Sequence, residues 1–255
     1  MRQMIPRVIP VLLLKNAGLV KTVKFKEPKY VGDPLNAVKI FNEKEVDELV
    51  FLDITATVKN MPPPLKLLSE IASECFMPFC YGGAIRTIED IKQITNSGVE
   101  KVSINNYAVE NPDFIEKAAT IFGSSTIVIS IDVKKNFWGK YEVYTKGGKN
   151  NTKLDPVKFA VEMNKRGAGE ILLNSIDRDG TQAGFDIELV KKVSCEVDVP
   201  VIACGGSGSV EHLAEAIKDG GASAVAAGSQ FVFHGKHRAV LINYPSQQEL
   251  KAAFS

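Results

Sequence analysis

The chain has 255 residues, 45% of them hydrophobic and 24% charged, with a formal net charge of +1. That balance suits a globular protein with a sizeable core and argues against a nucleic-acid coat or a polybasic membrane anchor. The opening MRQMIPRVIPVLLLKNAG holds one apolar run, residues 8–14, broken by Pro10 and closed by Lys15. A spanning helix needs about 20 apolar residues and a signal segment ends in small residues at a cleavage site, so the run reads as a buried first strand of a cytoplasmic protein.

Seven more strand-like runs follow at residues 48–54, 79–81, 101–104, 126–132, 170–176, 201–204 and 224–227. Between most of them lie stretches of helical periodicity, at residues 34–43, 65–74, 88–97, 112–122, 156–166 and 210–219. Asp33-Pro34, Asn111-Pro112 and Asp155-Pro156 each place a capping residue before a proline at the first helical position. Apolar strands alternating with amphipathic helices predict a parallel sheet covered by helices, and eight units favour closure. The expected fold is therefore α/β, a single (β/α)8 TIM barrel domain over residues 1–255. Residues 136–145, with Trp138-Gly139 between β-rich runs, read as a hairpin inserted after the fifth strand.

The four cysteines, Cys75, Cys80, Cys195 and Cys204, lie in or beside apolar segments without Cys-x-x-Cys spacing and read as reduced core thiols. The three histidines, His212, His234 and His237, form no metal-ligand pattern on a helix, so no metal and no cofactor are expected.

An internal repeat divides the barrel. The stretch from Asp33-Pro34 to Phe51 matches that from Asp155-Pro156 to Leu173, and Gly82-Gly83 pairs with Gly205-Gly206. A half-barrel repeat predicts a site with counterparts across the mouth. Gly-rich turns in such a barrel can hold phosphate at the C-terminal ends of the strands. The sequence supplies two pairs of turns, Gly82-Gly83-Ala84 with Ser103 to Asn106, and Gly205 to Gly208 with Ala227-Gly228-Ser229. Gly-Gly after a strand also serves a plain tight turn, but its duplication in both halves favours an elongated ligand with a phosphate at each end. Strand-end carboxylates Asp53, Asp132, Asp177 and Asp179 are candidates for proton transfer. Asp177-Arg178 also reads as an ion pair and Asp179-Gly180 as turn chemistry, whereas Asp132 follows a wholly apolar strand and has no obvious capping role. At the opposite strand ends, Arg7, Glu48, Lys101 and Glu170 are placed to form a charged ring on the barrel floor, whether structural or functional.

These residues resemble, over nearly the whole chain, the synthase (cyclase, HisF-type) subunit of imidazole glycerol phosphate synthase. The likeness rests on residues 47–56 (DELVFLDITA), 100–105 (EKVSIN), 165–173 (KRGAGEILL) and 175–181 (SIDRDGT). It implies a lyase-type subunit that pairs with a glutaminase (HisH-type) docked on the barrel floor, receives ammonia through the barrel, and converts a bis-phosphorylated aminoimidazole carboxamide ribonucleotide. By the same resemblance Arg7, Glu48, Lys101 and Glu170 form the ammonia gate. Gly83, Asn105 and Asn106 in one half, and Asp179, Gly180, Gly206, Gly228 and Ser229 in the other, bind the phosphates. Asp132 is the catalytic aspartate of the fifth strand, and Lys21 is a lysine of the mobile loop after the first.

The pattern also departs from the family. Where a second catalytic aspartate ends the first strand, this chain reads Pro10-Val-Leu-Leu13, and leucine moves no proton. Ala84 replaces the third glycine of a Gly-Gly-Gly motif, and Asn106 and Asn174 stand at threonine positions. With the loop from Lys21 to Tyr30 and the ending from Phe231 to Arg238, this resembles a paralogous branch linked to surface-polysaccharide genes. That resemblance implies a third protein, a sugar amidotransferase, and ammonia used to turn an acetamido group into an acetamidino group. Two alternatives stay open: a working histidine-pathway cyclase in which Asp179 replaces the missing acid, and a non-catalytic scaffold that activates the glutaminase.

Overall fold

A computed structural model describes residues 5–235 and 237–255, so the expected ending from Phe231 to Arg238 is described except for its Lys236, and Met1 to Met4 also lie outside. Eight parallel strands, β1 (Arg7–Lys15), β2 (Leu49–Asp53), β3 (Phe79–Gly82), β4 (Lys101–Ile104), β5 (Ile127–Lys135), β6 (Glu170–Ser175), β7 (Val201–Cys204) and β8 (Ala224–Ala227), are hydrogen-bonded in chain order. β8 pairs with β1, which closes the (β/α)8 TIM barrel.

The longer helices are α1 (Pro34–Glu43), α2 (Leu65–Glu74), α3 (Ile88–Asn96), α4 (Asp113–Phe122), α5 (Pro156–Lys165), α6 (Ile187–Ser194), α7 (Val210–Lys218) and α8 (Gln247–Phe254). Two begin as their sequence predicts. Asp33 accepts from the Asn36 amide ahead of Pro34, and Asp155 accepts from Val157 and Lys158 ahead of Pro156, each satisfying orphan donors of a first turn. Asn111 does not cap α4: its carboxamide donates to the Tyr107 hydroxyl, and the helix starts after Pro112.

Strand alternation sorts the apolar residues into two cores. Odd positions of β1 face inward, so Ile9 and Val11 meet Val50, Cys80, Val128, Leu172 and Ile202 inside the barrel. Val8, Leu12 and Leu14 face outward and pack under the helices with Phe41, Phe51 and Phe79. Cys80 and Cys204 are buried thiols, but Cys195 is exposed, because it caps the last turn of α6 on the solvent side.

Two insertions rise on the mouth side. β5 runs past the barrel and folds back through Tyr141–Thr145, the hairpin expected after the fifth strand. The segment after β1 is no loop. Gly18–Val23 and Lys26–Gly32 form an antiparallel hairpin that continues from β1, called the lid below.

Asp155→Ala removes two cap bonds from α5 and is expected to lower unfolding stability by about 1 kcal/mol in urea titration, with an unchanged denaturant slope.

Candidate functional site

The floor comes first along the axis. Arg7 donates through one nitrogen to Glu48 and through another to Glu170 at 2.6 Å. Lys101 bridges the same two carboxylates at 3.0 Å each. Two acids and two bases thus make a closed ring at the N-terminal strand ends, with Glu48 only 3% exposed. A buried ring of this kind is tolerated because each charge is paired twice, and removing one member would strand the others at a cost of about 3–5 kcal/mol.

At the other end lies a cavity of about 420 Å³, lined by Leu13, Asp132, Asn174, the Gly82-Gly83 and Gly205-Gly206 turns, and the lid. The paired turns keep glycine for steric reasons at Gly83 and Gly206, with φ of +155° and +117°. A Cβ on Gly83 would meet the Tyr81 hydroxyl at 2.8 Å, and one on Gly206 would strike the Gly184 carbonyl. Asn105, Asn106, Gly228 and Ser229 line the same cavity.

Asp132 sits at its base on β5, four strands round the ring from Leu13 on β1. Its carboxylate accepts from Asn105 and from Asn174, both at 3.3 Å. Burial pushes its pKa up to about 7, the Asn174 bond opposes this, and Asp179 adds to the rise. Leu13 pairs in register with Leu52, so the wall facing Asp132 is apolar.

The lid covers the second half. Lys21 is buried, donates its Nζ to the Val11 carbonyl and leaves no room for a Cβ on Gly228. Burial lowers its pKa to about 8, with Asp179 and Cys204 opposing. Asp179 accepts from the Thr22 hydroxyl at 3.0 Å and the Phe25 amide at 3.3 Å, and burial raises its pKa against those bonds. The Gly180 backbone packs on the Thr22 carbonyl.

The other strand-end acids serve local structure. Asp53 accepts from Thr55 and Ala56, opening the short helix Ala56–Lys59. Asp177 accepts the Lys135 amide, and Arg178 donates to the Ala183 carbonyl rather than pairing with it. Sequence reasoning did not find Thr22 and Phe25 as partners of Asp179, nor Lys146 and Lys149 in the cavity wall. Asn174, singled out in the sequence, lies two residues beyond Leu172 and so on the same inward face. Among the described residues no cluster of three His, Cys, Asp or Glu could hold a metal, and no helix is long and apolar enough to cross a membrane.

Residues 7–238 match the family described as histidine biosynthesis protein. The chain is 57% identical over 244 residues to a Pseudomonas aeruginosa protein named, provisionally, imidazole glycerol phosphate synthase subunit hisF2, covering 96% of this chain and 97% of that one. It is 49% identical to a Vibrio vulnificus protein named in the same provisional way as subunit hisF3, with 99% and 97% covered. A Leptospira borgpetersenii protein named, again provisionally, as subunit HisF is 47% identical, with 98% of each covered.

Because the folded pKa of Asp132 lies above the unfolded value of about 3.9, its protonated form adds stability that is present below pH ~4 and lost as pH rises through about 7. The stability of the wild type relative to Asp132→Asn should therefore fall by up to a few kcal/mol between pH 4 and pH 7.5. Parallel stability curves for the two proteins would contradict it.

Proposed function

Since the chain belongs to the histidine biosynthesis protein family as a HisF-type imidazole glycerol phosphate synthase subunit, we propose that it is the ammonia-accepting half of a cytoplasmic glutamine amidotransferase whose own chemistry has left imidazole cyclisation. A glutaminase docks on the floor, and ammonia enters past Arg7, Glu48, Lys101 and Glu170. It then meets an acceptor in the mouth. The acceptor is an extended anion held at Gly83, Asn105 and Asn106 on one side and at Asp179, Gly180, Gly206, Gly228 and Ser229 on the other, with Lys21 as counter-charge.

The observation that carries this reading is Leu13 across the cavity from Asp132. Cyclisation in the family is understood to use an acid and a base on opposite faces of the substrate, and losing one such group typically costs about 10²- to 10⁴-fold. One carboxyl group with a pKa of about 7 suits a simpler task. When ammonia adds to the carbonyl of an acetamido group, the nitrogen gives up two protons and the oxygen takes up two and leaves as water, with Asp132 relaying them one at a time and ending in its starting state. The branch resemblance supports a surface-polysaccharide sugar as acceptor and a sugar amidotransferase as a third protein of the complex.

The expected outcome in an assay with ammonium salt and the bis-phosphorylated aminoimidazole substrate is turnover at least about 100-fold below ordinary family enzymes, raised by Leu13→Asp. Ordinary wild-type turnover would return the chain to the histidine pathway. With a glutaminase partner in hand, Arg7→Ala should depress glutamine-driven transfer while sparing ammonium-driven transfer.

A further inference from the structure

The hairpin after β5 carries two aromatic side chains that nothing in the chain uses. Phe137 is 94% exposed and Trp138 is 86% exposed, their rings edge to face at 5.4 Å. The tip that displays them is held firmly. Asn136 accepts from the amides of Trp138 at 2.9 Å and Lys140 at 3.1 Å, and donates to Glu142 at 2.9 Å. With Asp132 opposite Tyr144 and Lys135 opposite Tyr141, the tip stands roughly 10 Å beyond Asp132 on the mouth side. Large apolar groups fixed in water on a rigid support mark an interaction surface.

The surface continues onto the lid, which the inserted segment touches: a Cβ on Gly148 would lie 3.1 Å from the Phe25 ring. There Val23 and Tyr30 are 43% and 66% exposed, and Lys24, Lys26 and Lys29 point outward. Lys135 and Lys140 flank the aromatic tip. Glu27 is the exposed acid among the lid lysines, and most other acids in the mouth-side segments are committed elsewhere. Asp33, Asp155 and Asp186 cap helices, Asp177 holds the Lys135 amide, and Asp179 holds the lid. The face is apolar and cationic on a chain whose net charge is only +1.

We propose that the mouth face, centred on Phe137 and Trp138, docks a protein partner that offers an apolar pocket for the aromatic pair and carboxylates for the lysines, and that covers the cavity while presenting the acceptor. The last clause rests on the ammonia-transfer reading above. Ammonia leaving an open mouth would escape or take up a proton, so a cover raises the share that reaches the acceptor. An anionic lipid surface also attracts aromatic and lysine side chains. A flat lipid surface cannot enter the concave mouth between the lid and the hairpin, whereas a protein partner can.

The test replaces residue 138 with the photo-crosslinker p-benzoylphenylalanine in the cells that encode the chain, identifies the linked protein, and then titrates that purified protein against full-length wild type. Phe137→Ser/Trp138→Ser should keep the wild-type melting temperature and weaken Kd by at least about 30-fold, as for a buried aromatic hot spot. Lys24→Glu/Lys29→Glu should weaken Kd and flatten its salt dependence, while Phe76→Ser, outside the face, leaves it unchanged. An unchanged Kd in the aromatic variant, no linked protein, or wild-type binding to phosphatidylglycerol vesicles that the aromatic variant loses would each overturn the proposal. Binding is read without any ammonia transfer, so failure of the amidotransferase reading would show separately, as a docked partner with no product.

Discussion

A closed ring of eight parallel strands leaves one column of space along its axis, and every side chain entering it gives up water on all sides. Apolar residues meet that condition directly, as Ile9, Val50, Val128 and Leu172 do at mid-height. Charged ones must find partners or change protonation state. At the floor the condition is met by pairing, since Arg7 and Lys101 each reach both Glu48 and Glu170. At the mouth it is met by titration. Asp132 has only two carboxamide donors and no cation, so burial carries its pKa to about 7, within reach of proton transfer at neutral pH.

The contrast between the two ends follows from chain geometry. A side-chain period of two puts Glu170, Leu172 and Asn174 on one inward column of β6, and Val128, Ser130 and Asp132 on its neighbour. The same alternation that builds a charged floor therefore delivers a carboxamide beside the mouth carboxylate. Where β1 carries Leu13 in its column, the opposite wall can bury apolar substrate surface but cannot exchange a proton.

Much of this was legible because the signals are local. Asp-Pro before an apolar period fixed the starts of α1 and α5, and continuous β-branched runs marked the strands. α6 and α8, at 8 residues each and capped by Asp186 and Ser246, escaped the reading. Asn111 misled because a proline beside a capping residue type does not ensure that the side chain turns back on the helix. The lid misled for a different reason. Its outer strand, Lys26–Gly32, carries charge and a proline and faces solvent almost throughout, so its pairing with Gly18–Val23, which in turn pairs with β1, is set by tertiary context rather than by alternation. Asp53 and Asp177 stood beside Asp132 as strand-end candidates in sequence. Only the fold shows that backbone amides claim their oxygens.

The same accounting bears on whether Asp179 could stand in for the acid that Leu13 displaces. Its carboxylate is bonded to the Thr22 hydroxyl and the Phe25 amide, and its carbonyl accepts from Lys24. All three donors belong to the lid, and Lys21 on that lid packs against Gly228 of the second pair of glycine turns. An Asp179 that shuttled protons would lose charge in each cycle and weaken the bonds that keep Lys21 over Gly228. Its position also differs, since it follows β6 whereas the missing group belongs on β1. Holding the lid and taking up a proton are competing demands on one carboxylate, and both side-chain hydrogen bonds it makes run to the lid.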